Sequence, residues 1–287
     1  MALLRDALND FTVNWRNDLT PAWRTALAGA SPNPTAVGST LTCDDLQPIY
    51  PSRRDRPLPG APTDAHVFRA FDGIAPEDVR CVLIGQDPYP LLGRATGRSF
   101  EQGDIGAWGL PAASVANSLR VLLRMMVAAR THDPAVLKMS WTVFVRHIAT
   151  PAVALESPRA LFDRLQQTQG VLFLNAGLTI TRYKSGGAPE QTRGHIPFWR
   201  PVVGQVLRSI ATRQSGQVVF LSLGALAQKL LASESVKLAA TQAGTWDTRA
   251  GEVALPHPVA PGFMKGPNPF EAVNAKLVAF GAPPIAW

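Results

Sequence analysis

Four short apolar runs, each followed by a polar or glycine-containing turn, constrain the fold of this 287-residue chain more than any other feature. They are Val79–Ile84, Val171–Leu174, Val218–Leu221 and Val253–Leu255. Three of them are rich in β-branched or bulky apolar residues, as strands buried on both faces of a sheet are. The longer helical stretches between them are Val115–Arg130, Pro158–Gln167, Pro197–Arg213 and Ala225–Leu231. Because strands alternate with helices, the pattern predicts an α/β fold of three αβα layers around a central four-stranded, mainly parallel sheet.

The rest of the sequence fits a single domain over residues 1–287. The first stretch, to about Ala30, has apolar residues at helical spacing, and Pro21 starts a second short helix there. Residues 31–64 are rich in Pro, Arg and Ser and are predicted to form a long loop. An apolar fraction of 46% with only 17% charged residues is typical of a globular chain rather than a disordered one.

The charge balance points to an acidic partner. Lys and Arg (28) outnumber Asp and Glu (21), which gives a net charge of +7 that suits a polyanion such as nucleic acid. Cys43 and Cys81 are the only cysteines, so a disulfide framework and a four-thiolate zinc site are excluded, and a reducing cytoplasm is indicated. No apolar stretch approaches the roughly 18 residues of a membrane helix. We therefore expect a cytoplasmic protein with no membrane partner.

Polar side chains follow the predicted strands at their carboxyl ends, where ligands bind to parallel sheets. The residues after the four runs are Gln86, Asp87 and Tyr89, then Asn175, then Gly224, then His257. One crevice is therefore expected to collect an acid, an amide and an imidazole from distant segments.

Three of these residues have a chemical interpretation and a plainer structural one. The carboxylate of Asp87 can stabilise positive charge or position water, or can merely cap a Pro-containing turn. The amide of Asn175 can read the donors and acceptors of a base edge, or can only occupy a turn. The imidazole of His257 can donate a hydrogen bond to an oxyanion, or can be purely structural. The whole hexapeptide Gly85–Pro90 after a buried strand favours the functional interpretation for Asp87.

Several absent motifs narrow the chemistry further. The sequence contains no GxSxG elbow, no GxxxxGK(S/T) phosphate loop, no GxGxxG fingerprint and no HExxH pair. A serine hydrolase and a nucleotide-cofactor enzyme are disfavoured, and we expect neither a metal nor a cofactor.

Three motifs together resemble one known family. Gly85-Gln86-Asp87-Pro88-Tyr89, Leu174-Asn175-Ala176 and His257-Pro258 occur in the order and setting seen in family 1 uracil-DNA glycosylases. The likeness runs from about Ile49 to Leu277 and includes Gly97–Phe100, Pro111–Asn117 and Val219–Gln228. It implies a monofunctional DNA glycosylase of base excision repair, acting without a cofactor and as a monomer. Such an enzyme flips uracil out of single- or double-stranded DNA and hydrolyses its N-glycosidic bond, leaving an abasic site.

The resemblance also implies a role for each motif residue. Asp87 and His257 would be catalytic, the carboxylate stabilising the oxocarbenium-like sugar and orienting water, the imidazole stabilising charge on uracil O2. The substrate-binding residues and their roles would be Asn175 on the uracil edge, Phe100 stacked on the base, Tyr89 in the space of a thymine methyl, and Gln86 in contact with the base.

Contacts to the DNA backbone and an apolar wedge are expected as well, because flipping a base costs a few kcal/mol. The expected DNA-binding residues are Ser114, Gly224, Phe263, Met264 and Lys265. Further candidates for phosphate contacts are Arg94, Arg98, Arg182, Lys184, Arg193 and Lys229. Taken singly, each of them fits a solvated surface charge better than a phosphate contact. The loop after His257 lacks the family's leucine, so Phe263 or Met264 is expected to act as the wedge.

Two other positions depart from the family pattern. Pro90 stands where the family usually has a histidine, and Ala225 where it often has a phosphate-contacting serine. Proline offers neither a side-chain donor nor a backbone N–H. The contact with water or phosphate that the family's histidine makes must therefore be absent or made by another residue. Two alternatives stay open: a glycosylase for another damaged base, and a non-catalytic binder of damaged or single-stranded DNA.

Overall fold

A four-stranded parallel sheet lies at the centre of the computed structural model, which describes residues 2–44, 48–181 and 188–287. A separate antiparallel ribbon pairs β1 (Ala2–Leu3) with β2 (Thr42–Cys43). The strands of the central sheet are β3 (Cys81–Gly85), β4 (Val171–Asn175), β5 (Val218–Leu223) and β6 (Ala250–Leu255). They lie in the order β4-β3-β5-β6, and each neighbouring pair is parallel. The predicted α/β fold with a four-stranded parallel sheet is confirmed.

The described residues contain nine α-helices. They are α1 (Leu4–Phe11), α2 (Pro21–Ala26), α3 (Asn117–Thr131), α4 (Trp141–Ile148), α5 (Pro158–Gln167), α6 (Ile196–Ala211), α7 (Ala225–Ser233), α8 (Val236–Gln242) and α9 (Pro269–Ala279). Within this part of the chain, none of them has the length and apolar character needed to cross a membrane. The four predicted helical stretches correspond to α3, α5, α6 and α7, whereas α4, α8 and α9 were not predicted.

Successive strand residues face two separate cores, which makes the three layers. Val82 and Ile84 of β3 pack on one side with α1, α2, α6, α7 and α8. Cys81 and Leu83 pack on the other side with α3, α4, α5 and α9. Side chains alternate across a strand, so a strand buried on both faces must be apolar at every position. This is the physical reason why continuous apolar runs predicted β3, β4 and β5, which are buried at every position. The strand β6 is only partly buried, and it begins at Ala250, three residues before the predicted run Val253–Leu255.

The N-terminal stretch and the 31–64 loop are anchored to each other. The predicted helical stretch is divided into α1, a 3-10 turn at Trp15–Asp18 and α2, which begins at Pro21 as expected. Arg53, in the loop, is buried and forms an ion pair with Asp18 at 2.5 Å. Its guanidinium also donates to the carbonyls of Phe11 and Val13, both at 2.9 Å. Arg53 therefore anchors its own part of the loop to the N-terminal stretch through a buried charge and its partners.

Candidate active site

The carboxyl ends of the parallel strands open into one cleft of about 330 Å³. This volume is in the range of small-ligand pockets. Sequence-predicted residues that line it are Gln86, Asp87, Tyr89, Phe100, Asn175, Gly224 and His257. The structure thus brings together both residues expected to be catalytic and all four expected to bind the substrate.

The turns after β3 and β4 are locked together by their backbones. The Ala176 N–H donates to the carbonyl of Gly85, and the Gly177 N–H donates to that of Gln86, both at 2.9 Å. A Cβ on Gly85 would lie 2.5 Å from Asn175 Oδ1 and 2.7 Å from Ser99 Cβ, so only glycine fits there. The close approach fixes Asp87 relative to Asn175.

Asp87 is half-buried and its carboxylate is held by two amides. Gln86 Nε2 donates to Oδ2 at 2.7 Å, and Gln191 Nε2 donates to Oδ1. Burial raises the pKa of Asp87 to about 6, and the two hydrogen bonds oppose that rise. The carboxylate is therefore mostly ionised at neutral pH and becomes protonated just below it.

Asn175 presents an unsatisfied acceptor in the cleft. The residue is 2% exposed, and its Oδ1 has no hydrogen-bond partner among the described residues. A buried polar atom left without a partner costs about 1–3 kcal/mol. A ligand N–H that reaches Oδ1 would remove that cost.

Phe100 is held in a backbone conformation that aromatic residues rarely adopt. Its φ is 62°, in the left-handed region. The preceding Ser99 fixes the turn, because its N–H donates to the Phe173 carbonyl and its Oγ to the Leu83 carbonyl, both at 3.0 Å. Strain that the surroundings maintain is a feature of ligand sites.

Buried ion pairs lie on both sides of Phe100, at Arg98 and Glu101. Arg98 is 2.7 Å from Asp163 and 3.3 Å from Glu101. Because its guanidinium is buried and paired, Arg98 supports the wall of the cleft and is not free to bind a phosphate as expected. Tyr89 lies beside Phe100, with its hydroxyl 3.4 Å from the Phe100 carbonyl, and burial raises the pKa of Tyr89 to about 12.

His257 is exposed at the cleft, and its neighbours select one tautomer. The Val259 N–H lies 3.3 Å from Nδ1, which must accept, so the proton of the neutral ring is on Nε2. Partial burial lowers the pKa of His257, which favours that neutral ring. Gly224 has a φ of 95°, and a Cβ there would lie 3.1 Å from His257 Cβ. Glycine at this position lets the start of α7 approach the imidazole.

The loop after His257 differs from the expectation. Phe263 is 6% exposed and belongs to the core around α3 and α9, and Met264 packs against the same core. This burial argues against Phe263 as the wedge. The large apolar side chain that the loop exposes is Val259, at 48%. Phe263, Met264, Lys265 and Ser114 do not line the cleft.

The basic candidates fall into three groups. Arg94 is paired with Asp104 at 2.9 Å, and Arg98 is buried as described. Arg193, Lys229 and Lys265 are exposed, and Lys229 lies on α7, whose first residues line the cleft. Arg182 and Lys184 lie outside the described residues. The described part of the chain contains no cluster of three or more His, Cys, Asp or Glu side chains that could hold a metal ion.

Sequence reasoning missed Gln191, the buried partner of Asp87. It lies 104 positions further along the chain, and no motif marks it. It begins the π-helical turn Gln191–His195, which lies beside the carboxylate only in the folded chain, so no local sequence signal could have identified it.

Comparison with known proteins gives relatives along most of the chain, although no family model matches it. A uracil-DNA glycosylase from Streptococcus gordonii is 30% identical over 231 residues, which are 79% of this chain and 82% of that protein. Another, from Xanthomonas oryzae pv. oryzae, is 28% identical over 282 residues, 96% of this chain and 92% of that protein.

Solved structures share the fold at lower identity. The wild-type UNG crystal structure from Nitratifractor salsuginis has a TM-score of 0.59 at 24% identity and covers 94% of this chain and 95% of that one. A mimivirus UNG variant in complex with UGI has a TM-score of 0.58 at 17% identity and covers 100% of this chain and 95% of that one.

Proposed function

We propose that this chain, which belongs to the uracil-DNA glycosylase family, flips uracil out of DNA and hydrolyses the bond that joins it to deoxyribose. The products are free uracil and an abasic site, as in the first step of base excision repair. The observation that carries the proposal is that Asp87 and Asn175, whose Oδ1 has no partner among the described residues, line the same cleft.

Asn175 and its neighbours supply the base selectivity in this proposal. Uracil has an N3–H that can donate to a carbonyl oxygen, whereas the N3 of cytosine is an acceptor and would face Oδ1 unfavourably. Phe100 offers a rigid apolar surface on which the flipped base stacks. Tyr89 fills the space that a thymine methyl would need, and Gln86 contacts the base.

Asp87 and His257 divide the chemistry between them. As the glycosidic bond breaks, its electron pair moves onto the base and positive charge develops on the sugar. The ionised Asp87 stabilises the sugar cation and orients the water that attacks it. The Nε2–H of His257 donates to the uracil O2, where negative charge accumulates, so the base leaves more readily.

The DNA backbone is expected to meet the start of α7 at the cleft edge and basic or polar side chains outside the cleft. The first residues of α7, Gly224 and Ala225, line the cleft, and the N–H groups at a helix start bind phosphate. Lys229, Lys265 and Arg193 add positive charge near DNA, and Ser114 is a further proposed contact on the loop before α3. Their binding is expected to weaken as salt rises.

Base release from matched oligonucleotides tests the proposal. The strands differ only in carrying one uracil or one thymine, and alkali-labile breaks report the abasic site. We expect breaks at uracil alone, with a loss of about 10³-fold or more in Asp87→Asn. Asp247→Asn, an exposed aspartate in the turn before β6, is the matched control and should retain full activity. Absence of breaks at uracil with the wild-type chain would reject the proposal in favour of another lesion or of binding alone.

A further inference from the structure

Gln191 holds the catalytic carboxylate from inside the protein. The residue is 4% exposed, and its Nε2 donates to Asp87 Oδ1 and also to the Thr179 carbonyl at 3.2 Å. The other partner of the carboxylate, Gln86, is exposed and belongs to the adjacent position in the chain. The two amides therefore differ: that of Gln86 is exposed at the surface, and that of Gln191 is buried and donates to a second acceptor.

The backbone around Gln191 is arranged for this contact. The residue begins a π-helical turn, Gln191–His195, directly before α6, and such turns are rare and frequent at functional sites. Opposite it, a Cβ on Gly177 would lie 2.8 Å from Gln191 Nε2 and 3.1 Å from Asp87 Oδ1. Only a residue without a side chain lets the amide and the carboxylate meet.

A buried polar network fixes the turn from behind. Trp199 Nε1 donates to Thr179 Oγ1 at 2.7 Å, and that oxygen lies 2.8 Å from His195 Nδ1. His195 Nε2 lies 3.0 Å from Thr181 Oγ1. The Thr179 hydroxyl oxygen accepts from Trp199, so its own O–H is free to donate to Nδ1 of His195. The proton of the neutral imidazole is then on Nε2 and donates to Thr181 Oγ1. Burial lowers the pKa of His195 to about 3, so the ring is neutral and the network carries no charge.

We infer that Gln191 is a positioning residue that fixes the Asp87 carboxylate in its orientation and keeps it ionised. Its catalytic consequence rests on the function proposed above. A fixed N–H donor on Oδ1 stabilises the anion, which burial otherwise disfavours. It also prevents rotation of the carboxylate, and small displacements of a catalytic group lower the rate strongly.

No unpaired charge among the described cleft residues opposes the effect of burial on the pKa of Asp87, which leaves the hydrogen bonds from Gln86 and Gln191 to lower it. Tyr89 and His257 line the same cleft, and both are neutral at pH 7 because burial raises the pKa of the first to about 12 and lowers that of the second. Arg98 also lines the cleft and is paired with Glu101 and Asp163. His195, behind the turn, is neutral as well.

The test compares Gln191→Met with Gln166→Met. Gln166, on α5 and away from Asp87, is likewise buried. Its Nε2 donates to the carbonyls of Arg69 and Asp72. The first measurement is the pKa of the Asp87 carboxyl in DNA-free protein, by ¹³C NMR titration, with the signal assigned from its absence in Asp87→Asn. We expect Gln191→Met to raise this pKa by about one unit and Gln166→Met to leave it unchanged.

The second measurement is uracil release across pH. Gln191→Met should lower kcat about tenfold or more, with KM within about twofold, and should move the acid limb of the kcat profile to higher pH. Gln166→Met should change neither. Should Gln191→Met fail to fold, Gln191→Glu keeps the shape and places two carboxyls side by side, which raises the Asp87 pKa further because one proton is retained.

An unchanged Asp87 pKa in the folded Gln191 variants would overturn the inference. So would a rise in that pKa that Gln166→Met reproduces equally, since the effect would then reflect general loosening of the protein. The titration needs no activity. A wild-type protein that releases no uracil would therefore reject the proposed function, while the NMR result would still decide the role of Gln191.

Discussion

At the residue scale, Asp87 combines two opposing requirements. In the proposed reaction, stabilising a sugar cation needs an ionised carboxylate in a site from which water is largely excluded. Burial of that charge raises the pKa to about 6, so the ionised form is held at the expense of fold stability. The amides of Gln86 and Gln191 offset part of this cost but do not remove it.

Because burial of the ionised carboxylate destabilises the fold, we expect Asp87→Asn to stabilise the folded protein at neutral pH. The pKa is near 3.8 when unfolded and about 6 when folded, so the native state binds more protons between these values and stability falls as pH rises through them. Above pH 6 the ionised side chain lowers the free energy of unfolding by about 1–3 kcal/mol. The neutral asparagine avoids this loss once the exposed Gln86 amide rotates to accept from its NH2 group. Urea unfolding at pH 7.5 and pH 3.5 checks this, with Asp247→Asn as the control.

The gain in unfolding free energy of Asp87→Asn should be present at pH 7.5 and nearly absent at pH 3.5, where Asp87 is protonated in the folded state and mostly protonated in the unfolded state. A variant less stable than wild type at pH 7.5 would contradict the prediction.

At the scale of an element, the loop after β6 contains two apolar side chains that differ in burial. The 3-10 turn Phe263–Lys265 directs Phe263 into the core, whereas Val259, two residues after the cleft residue His257, is exposed. Sequence spacing alone could not distinguish them, because both lie in the same Pro- and Gly-containing loop. Val259 therefore replaces Phe263 as the proposed wedge.

Alanine substitutions separate these two roles. Phe263→Ala should lower the free energy of unfolding by about 3 kcal/mol, because it leaves a cavity in the core. Val259→Ala should leave stability within about 0.5 kcal/mol and lower uracil release from duplex more than from single-stranded DNA, which needs no wedge. Denaturant unfolding and release from both substrates measure the two effects. Equal rates of Val259→Ala and wild type on duplex would eliminate Val259 as the wedge.

At the scale of the whole molecule, a buried ion pair joins the N-terminal helices to the 31–64 loop. Burial alone would raise the pKa of Asp18, but the hydrogen bonds and charge of Arg53 outweigh it and hold that pKa below its ordinary value of 3.8. The stability from Asp18 is thus complete above its unfolded pKa and is lost as pH falls through the lower folded value.

Arg53→Met should therefore destabilise the chain by about 3 kcal/mol at pH 7, because Asp18 is left buried without its partner. Arg54→Met is the matched control, since Arg54 is half exposed and its ion pair with Asp72 contributes at most about 1 kcal/mol. Urea unfolding of both variants at pH 7 measures the difference. Similar losses for the two variants would show that the buried pair has no special role.

The sequence by itself determined the elements of the sheet and most of the site. Strands buried on both faces require continuous apolar runs, and parallel strands end at one edge, so Asp87, Asn175 and His257 had to converge. Strand positions and turn residues depend on a few neighbouring amino acids, and their pattern could be read without knowledge of the fold.

Only the tertiary structure decided which side chains lie around these three cleft residues. Gln191 reaches Asp87 from 104 positions away, Arg98 turns inward to Asp163, and Phe263 enters the core and leaves Val259 exposed. Each outcome depends on packing between segments far apart in the chain, because a buried polar or apolar side chain takes whichever partner the assembled layers bring within reach. Local periodicity contains no information about such partners.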